Sequence, residues 1–308
     1  MPIEPDQAPA KSYRYLRIAM IGVLFALAAA VFYQSSQQNS FLASVSAYYY
    51  TSAQGVFVGA LIALGVSMIA LQGMNDAENT FLNLGGLFAI VVAIVPTGRG
   101  PDFDTAVQAC RNSGGTLLTH RASKTLDCPT VHALQEASRA NVDNNMAALL
   151  IVGGLALILA AVILYKGRSA GAGTTGRKWV LAVFSVAVLL WVAGLIALAV
   201  SVDWLAGNAH YIAASSLGLC ILVAVGANAH RRQVRDRDTN TGNLLTAYRY
   251  TWIAGFMLVG AGTLIGLWQA GVISLFWVEI SVALMFILFW TVQTLEIDTQ
   301  PSQTSNYA

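Results

Sequence analysis

Charged residues are scarce in this 308-residue chain: they make up 10% of it, whereas 56% of the residues are apolar. Soluble domains carry about 25% charged and about 45–50% apolar residues, so the composition excludes an ordinary water-soluble fold. A backbone in hydrocarbon must satisfy its own hydrogen bonds, which leaves helices or a closed barrel. The apolar runs are about 20 residues long and do not alternate, so the sequence predicts an all-α, polytopic bundle of membrane helices.

Histidine and cysteine are also few, with four and three copies, and the common catalytic motifs are missing. The sequence has no Walker motif, no Cys-x2-Cys and no Gly-x-Ser-x-Gly, and so gives no basis for an ATPase, a disulfide oxidoreductase or a serine esterase. Membrane hydrolases related to alkaline ceramidase use Ser, Asp and His around zinc, but no late apolar run here carries His-x3-His. We therefore predict no cofactor and no metal site, and we rank a membrane-embedded hydrolase last among the functions considered.

Eight apolar runs are long enough to cross a bilayer, which takes about 20 residues as a helix. The last two runs are so close that only a tight turn at Ala270-Gly271 can join them. Gly55 with Gly59, and Gly262 with Gly266, form Gly-x3-Gly motifs that we interpret as helix packing within the chain. The predicted spans are Arg17–Tyr33, Ala53–Leu71, Phe81–Val95, Met146–Tyr165, Val180–Ser201, Asn208–Ala229, Tyr250–Gln269 and Val272–Val292.

The distribution of basic residues predicts the orientation of the spans. With both termini in the cytoplasm, the inner segments hold 12 of the 17 lysines and arginines, and the short outer loops hold none. This is the positive-inside pattern. The first run also fits a signal peptide, but retaining it as an anchor keeps the orientation consistent along the chain. The predicted organisation is a cytoplasmic tail at 1–14, spans at 15–96, an extracytoplasmic subdomain at 97–144, spans at 145–293 and a cytoplasmic tail at 294–308.

The polar segment between the third and fourth spans is far longer than an ordinary connection. It contains Cys110 and Cys128, which the topology places in an oxidising compartment, so we predict that they form a disulfide. The alternative is a metal site that also uses His120 and His132, but its spacing matches no standard zinc motif. We expect helices on both sides of the Gly114-Gly115 turn, and hence a small, mainly helical subdomain.

A few polar residues at the outer ends of the spans are the candidates for a ligand pocket. Glu279 lies inside the last span, where a charge is costly unless it faces a cavity or a partner. His210 opens the sixth span at a similar depth, with Asp203 close before it. Ser46 and Tyr49 belong to a hydroxyl-rich stretch before the second span. Anchoring at the interface is the alternative for the tyrosines, and hydrogen bonding to backbone or water is the alternative for His210.

Several short stretches resemble a group of bacterial multi-span membrane proteins, of the kind common in actinobacteria, that has no assigned activity. The resemblance covers about a third of the chain. It implies membership of a membrane family in the bacterial plasma membrane but supplies no function. The stretches that carry it are Ser44–Thr51, Val56–Gly59, Asn83–Gly86, Val95–Thr97, Trp277–Glu279 and Phe289–Trp290.

Two functions fit these features equally well. The first is a protein that binds or transports a small molecule or lipid through an outward-facing pocket containing Glu279. The second is an accessory subunit or envelope sensor that presents residues 100–142 to a membrane protein partner. The expected partners are therefore the lipid bilayer and, for the second function, a membrane protein that contacts residues 100–142. A net charge of +2 gives no reason to expect nucleic acid binding.

Overall fold

The computed structural model describes residues 8–71, 73, 76–99, 101–113, 118–120, 124–167, 174–238 and 249–297. These ranges contain nine α-helices, one short 3₁₀ helix at Ser46–Tyr50 and two short strands. The helices are α1 (Ala8–Gln38), α2 (Gln54–Ala70), α3 (Asp76–Ile94), α4 (Pro101–Ser113), α5 (Cys128–Gly167), α6 (Thr174–Val200), α7 (Val202–Asp238), α8 (Arg249–Gln269) and α9 (Leu275–Ile297).

Seven helices in the described part of the chain are long and apolar enough to cross a membrane, namely α1, α3 and α5 to α9. Helix α2 is also apolar but has only 17 residues. Every predicted span overlaps one of these eight helices. The protein is therefore an integral membrane protein built from apolar helices, and the prediction of a helical membrane fold is confirmed at that level.

The segment between α4 and α5 contains an element that the sequence did not predict. Strands β1 (Leu118–His120) and β2 (Lys124–Leu126) pair antiparallel, with Thr119 opposite Thr125. After this hairpin, α5 runs for 40 residues without a break. The boundary predicted at residue 145 therefore lies inside one helix, because polar and apolar parts of a sequence can share a single run of backbone hydrogen bonds.

The tight turn predicted between the last two helices is present. Gly271 has a φ of 72°, a left-handed conformation that glycine adopts without steric cost. The N–H of Val272 donates to the carbonyl of Leu267, and the N–H of Gly271 donates to that of Trp268. These two bonds form a Schellman motif, which ends α8 and turns the chain toward α9.

The contacts divide the chain into two compact units, which we describe separately. The first unit consists of Met1–Val45, Gly55–Ala89 and Ser216–Ala308, and the second unit consists of Ser46–Gln54 and Ile90–Ser215. In the first unit α9 packs against α1 and against α8. In the second unit α5 packs against α4 and against α6.

Helices α2 and α3 approach each other closely within the first unit. A Cβ atom placed on Gly86 would lie 2.5 Å from the carbonyl oxygen of Gly65, so a side chain there requires the helices to move. By contrast, no described atom would lie within 4 Å of a Cβ on any glycine of the two Gly-x3-Gly motifs. The interpretation of those motifs as packing within the chain is therefore wrong for the part of the chain that the structure describes.

A tryptophan joins α5 to α6 in the second unit. The indole N–H of Trp191 on α6 donates to the backbone carbonyl of Leu150 on α5 at 2.7 Å. Gly154 lets the helices approach here, since a Cβ on it would stand 3.0 Å from the indole ring. Elsewhere the apolar surfaces of the two helices are exposed. Of the 18 most apolar consecutive residues in each helix, none are buried in α6 and 6% are buried in α5.

Candidate ligand-binding site

A disulfide and a small apolar core hold α4 against the start of α5. Cys110 and Cys128 are bonded, with their Cα atoms 5.6 Å apart, which confirms the predicted pair. Both cysteines are buried together with Ala106, Val107 and Val131, and Phe103 packs against this cluster. Burial of these side chains and the covalent link fix the distance between the two helices.

Asp127 caps the N-terminus of α5. Its Oδ1 accepts a hydrogen bond from the backbone N–H of Thr130 at 2.9 Å, as expected for an aspartate in the N-cap position. Hydrogen bonds from the Thr130 side chain and backbone hold the pKa of Asp127 below its ordinary value. The capped carboxylate is therefore favoured in the folded protein.

A pocket of about 700 Å³ opens beside these helices within the second unit. Its walls come from α4, the first turns of α5, the start of α7 and the segment Pro96–Arg99. This volume is in the range of small-molecule sites, about 300–1,000 Å³. Among the described residues, no three His, Cys, Asp or Glu side chains lie close enough to hold a metal ion. We call this cavity the Arg99 pocket.

Arg99 is held in place by aromatic rings and one hydrogen bond. Its guanidinium carbon lies 4.0 Å from the centroid of the Tyr50 ring and 5.6 Å from that of Phe103. Its Nε donates to the hydroxyl of Ser138 on α5 at 3.3 Å, and that hydroxyl donates to the carbonyl of Leu134. A cation over an aromatic face is attracted by the electron density of the ring. Arg99 thus has a defined orientation in the wall of the pocket.

Tyr50 is in turn fixed from the other side. Its hydroxyl donates to the backbone carbonyl of Thr97 at 2.6 Å, two residues before Arg99. Burial raises the pKa of Tyr50 above its ordinary value, although Ser138 and Arg99 act in the opposite direction. The ring therefore remains neutral at physiological pH and offers Arg99 an uncharged aromatic face.

An ion pair lies at another edge of the Arg99 pocket. Arg139 on α5 is 3.1 Å from Asp203 at the start of α7, and both side chains are more than half exposed. An exposed pair of this kind contributes about 0–1 kcal/mol, so it sets local charge rather than stability. Asp203 is the only one of the five predicted pocket residues that lines this cavity.

His210 has a structural contact in the second unit. It is 3% exposed, and its Nδ1 donates to the carbonyl of Val95 at 2.7 Å, just beyond the end of α3. Its Nε2 is buried and has no hydrogen-bond partner among the described residues. The Nδ1 of His210 is therefore bonded to the backbone, as the alternative interpretation of this residue predicts.

The tyrosine-rich stretch forms the 3₁₀ helix at Ser46–Tyr50. Ser46 and Tyr49 are buried, and Tyr49 packs edge to face on Tyr50 at 5.3 Å between ring centroids. The side chain that reaches the Arg99 pocket from this stretch is Tyr50 and not Tyr49. Tyr49 thus lies behind the aromatic wall of the pocket and supports it.

Glu279 belongs to the first unit. Its Oε2 accepts a hydrogen bond from the backbone N–H of Val45 at 2.5 Å, and nearby Phe276 donates its N–H to the carbonyl of Ala43. These bonds attach the segment after α1 to the start of α9. A common pocket of Glu279 with the four candidates of the second unit stays a prediction.

A buried polar cluster in the first unit was not predicted. Glu78, in the first turn of α3, is 1% exposed, and its Oε1 accepts hydrogen bonds from Asn228 on α7 at 3.4 Å and from Gln293 on α9 at 3.3 Å. Arg17 on α1 is equally buried and stacks over Trp290 at 4.8 Å. We call Arg17, Glu78, Asn228 and Gln293 the buried polar cluster.

The sequence contains a signal for this cluster. Its four members stand at or near the ends of predicted spans that the orientation places on the cytoplasmic side. Arg17 contributes only to the charge count that predicts the orientation, and Glu78, Asn228 and Gln293 are not among the predicted pocket residues. Polar residues at the same end of several spans indicate a contact such as that of Glu78 with Asn228 and Gln293, because polar side chains in membrane proteins form hydrogen bonds between helices.

No protein-family model, no curated protein and no solved structure matches this chain.

Proposed function

We propose that the protein crosses the bacterial plasma membrane eight times, with both termini in the cytoplasm, and binds a small polar molecule in the Arg99 pocket from the outer side. Binding serves either transport or sensing of that molecule. The membership of the actinobacterial-type membrane group, suggested by the sequence, is part of this proposal. The main support for ligand binding is a pocket of small-molecule size whose wall contains Arg99 in a fixed orientation.

The eight-span topology is supported by α2 and by charge. At about 1.5 Å per residue the 17 residues of α2 extend about 25 Å, at the short end of what a bilayer requires. If α2 spans, the basic residues collect on one side and the disulfide lies on the other, in an oxidising compartment.

Reporter fusions test this topology. Alkaline phosphatase is active only outside the cytoplasm, and green fluorescent protein fluoresces only inside. We expect fluorescence from a fusion after Gly73 and phosphatase activity from a fusion after Ser113. If α2 does not span, the two reporters exchange: Gly73 lies outside and Ser113 inside.

A ligand screen tests the pocket. Purified protein in detergent is heated with a panel of anionic, cationic, zwitterionic and neutral metabolites, and the unfolding temperature is measured. A ligand that binds only the folded state raises this temperature. Gly207 lines the pocket and has open space at its Cβ position, so Gly207→Trp should fill the cavity and abolish the shift. Gly262→Trp on α8, also with open space, is the matched control. A shift that survives Gly207→Trp contradicts the proposal.

A second candidate is an accessory subunit or sensor that presents its outer subdomain to a membrane protein partner. The observation in its favour is the α5–α6 pair, whose apolar surface is almost entirely uncovered by the residues that the structure describes. Purification in mild detergent, with and without residues 100–142, tests it. Loss of a stoichiometric partner on deletion favours this candidate, and an unchanged or absent partner removes it.

A further inference from the structure

The chemistry of the ligand can be inferred from how Arg99 is held. We propose that Arg99 binds an oxyanion, either a carboxylate or a phosphate, through its two terminal nitrogens. This inference rests on the proposed function, since it specifies what the Arg99 pocket recognises. The shared chemistry is a planar or tetrahedral group with two oxygens that can accept parallel hydrogen bonds.

Part of the Arg99 guanidinium is already in contact with other side chains. Its faces are next to the rings of Tyr50 and Phe103, and its Nε is bonded to Ser138. Among the side chains that the structure describes, which do not include that of Asp102, no carboxylate lies within 4.0 Å of it. The two Nη groups form the edge of the fork that matches two oxygens of a carboxylate or phosphate.

The Arg99 side chain is preorganised for binding an anion. A free arginine loses much rotamer freedom when it binds an anion, whereas Arg99 has lost it already through the contacts with Tyr50 and Ser138. Restraining the side chain before binding makes the anion contact tighter and more selective for geometry. A lysine at this position would keep the charge but lose the planar fork and the stacking.

Other charged side chains also line the pocket. Arg139 has a carboxylate partner in Asp203 at 3.1 Å, so its charge is largely compensated. Arg111 also lines the cavity and adds positive charge, while Asp104 and Glu136 line it with exposed carboxylates. The anion therefore binds at the partly buried Arg99. The exposed carboxylates of Asp104 and Glu136 could attract a cationic group elsewhere on the same ligand.

Isothermal titration calorimetry on the full chain in detergent tests the inference. The probes are sodium phosphate, sodium acetate and dihexanoylphosphatidylglycerol below its micellar concentration, each at matched ionic strength. Binding of the lipid alone identifies a headgroup site, whereas binding of phosphate or acetate identifies a free oxyanion site. Either result supports the inference, and binding of none of the three overturns it.

Variants separate recognition by the fork from simple attraction of charge. We expect Arg99→Gln and Arg99→Lys each to weaken binding about tenfold or more, because both lose the paired hydrogen bonds. Arg139→Gln, in the same pocket but with its charge already paired, should change it less than about threefold. An Arg99→Lys variant that binds the probe with the affinity of the wild type would overturn the inference. If the metabolite panel shifts the wild type but not Gly207→Trp, and Arg99→Gln behaves as wild type, the pocket function stands and the oxyanion inference fails.

Discussion

Glu279 on α9 connects the segment after α1 to its own helix through a hydrogen bond to the backbone of Val45. The Oε2 of Glu279 accepts a hydrogen bond from the N–H of Val45 at 2.5 Å. Substitution can separate this structural role of Glu279 from a role in proton transfer. Glu279→Gln keeps an acceptor oxygen and should lower stability by about 1 kcal/mol or less. Glu279→Leu leaves the Val45 N–H without that acceptor and should cost about 1–3 kcal/mol. Thermal unfolding in detergent measures both.

The same two variants test whether Glu279 also takes part in proton transfer. If the carboxyl must gain and lose a proton during function, Glu279→Gln should abolish ligand-dependent activity while the protein remains folded. Equal destabilisation by Gln and Leu, on the other hand, would contradict the role of an acceptor for Val45.

The buried polar cluster predicts a strong effect of one amide. Gln293 is 0% exposed and donates to Glu78 at 3.3 Å, so Gln293→Leu removes a donor from a buried carboxylate. We expect a loss of about 1–3 kcal/mol, because the substitution removes a hydrogen bond from a buried polar group. Gln269→Leu, at the exposed end of α8, is the matched control and should change stability by less than about 0.5 kcal/mol. The cluster would have no stabilising role if the two variants unfolded at the same temperature.

At the level of elements, the cap of α5 makes the second unit sensitive to acid. The pKa of Asp127 is lowered in the folded state, so its contribution is present above the unfolded value of about 3.9 and is lost as the pH falls through the folded value. We expect the unfolding temperature to fall with pH in that window. Asp127→Asn keeps the cap but cannot titrate, and so should reduce the pH dependence. An unchanged profile in Asp127→Asn would assign the acid sensitivity to other carboxyls.

The contact between α2 and α3 predicts opposite signs for two glycine substitutions. Gly86→Ala places a Cβ 2.5 Å from the Gly65 carbonyl and 2.8 Å from the Cγ1 of Ile69, so the helices must separate and stability should fall by about 1–3 kcal/mol. Gly262→Ala meets nothing within 4 Å and should raise stability by up to about 1 kcal/mol through helix propensity. Thermal unfolding of both variants checks the sign, and a stabilised Gly86→Ala would contradict the close approach.

For the whole molecule, the elements that the sequence predicted are those that depend on local chemistry. Neighbouring residues are enough to predict the apolar runs and the turn at Gly271. The Cys110–Cys128 pair can be predicted from the topology, which places both cysteines in one outer segment. The antiparallel pair of β1 and β2 was missed because each strand has only three residues, too few for a periodic pattern.

The candidate site depended on contacts that are distant in sequence. Arg99 contacts Tyr50, 49 residues away in the sequence, and Ser138, 39 residues away. A single sequence contains no pattern that predicts contacts between residues so far apart. Glu78 and Gln293 are 215 residues apart. The sequence could therefore indicate which residues are costly to place in a membrane, but not which of them meet.

The division into two units predicts how far the loss of the disulfide is felt. Replacing Cys110 and Cys128 by serine opens a loop with a sequence separation of 18 residues, which should cost about 3 kcal/mol in the chain-entropy model. Hydrogen exchange followed by mass spectrometry should then show exchange about a hundredfold faster in α4 and the first turns of α5. Helices α1 and α9 of the first unit should be unaffected, because their packing does not involve this link. Cys220→Ser, which removes a buried free thiol from the first unit, is the control for loss of a cysteine. Faster exchange throughout α1 and α9 in the double serine variant would show that the two units unfold together.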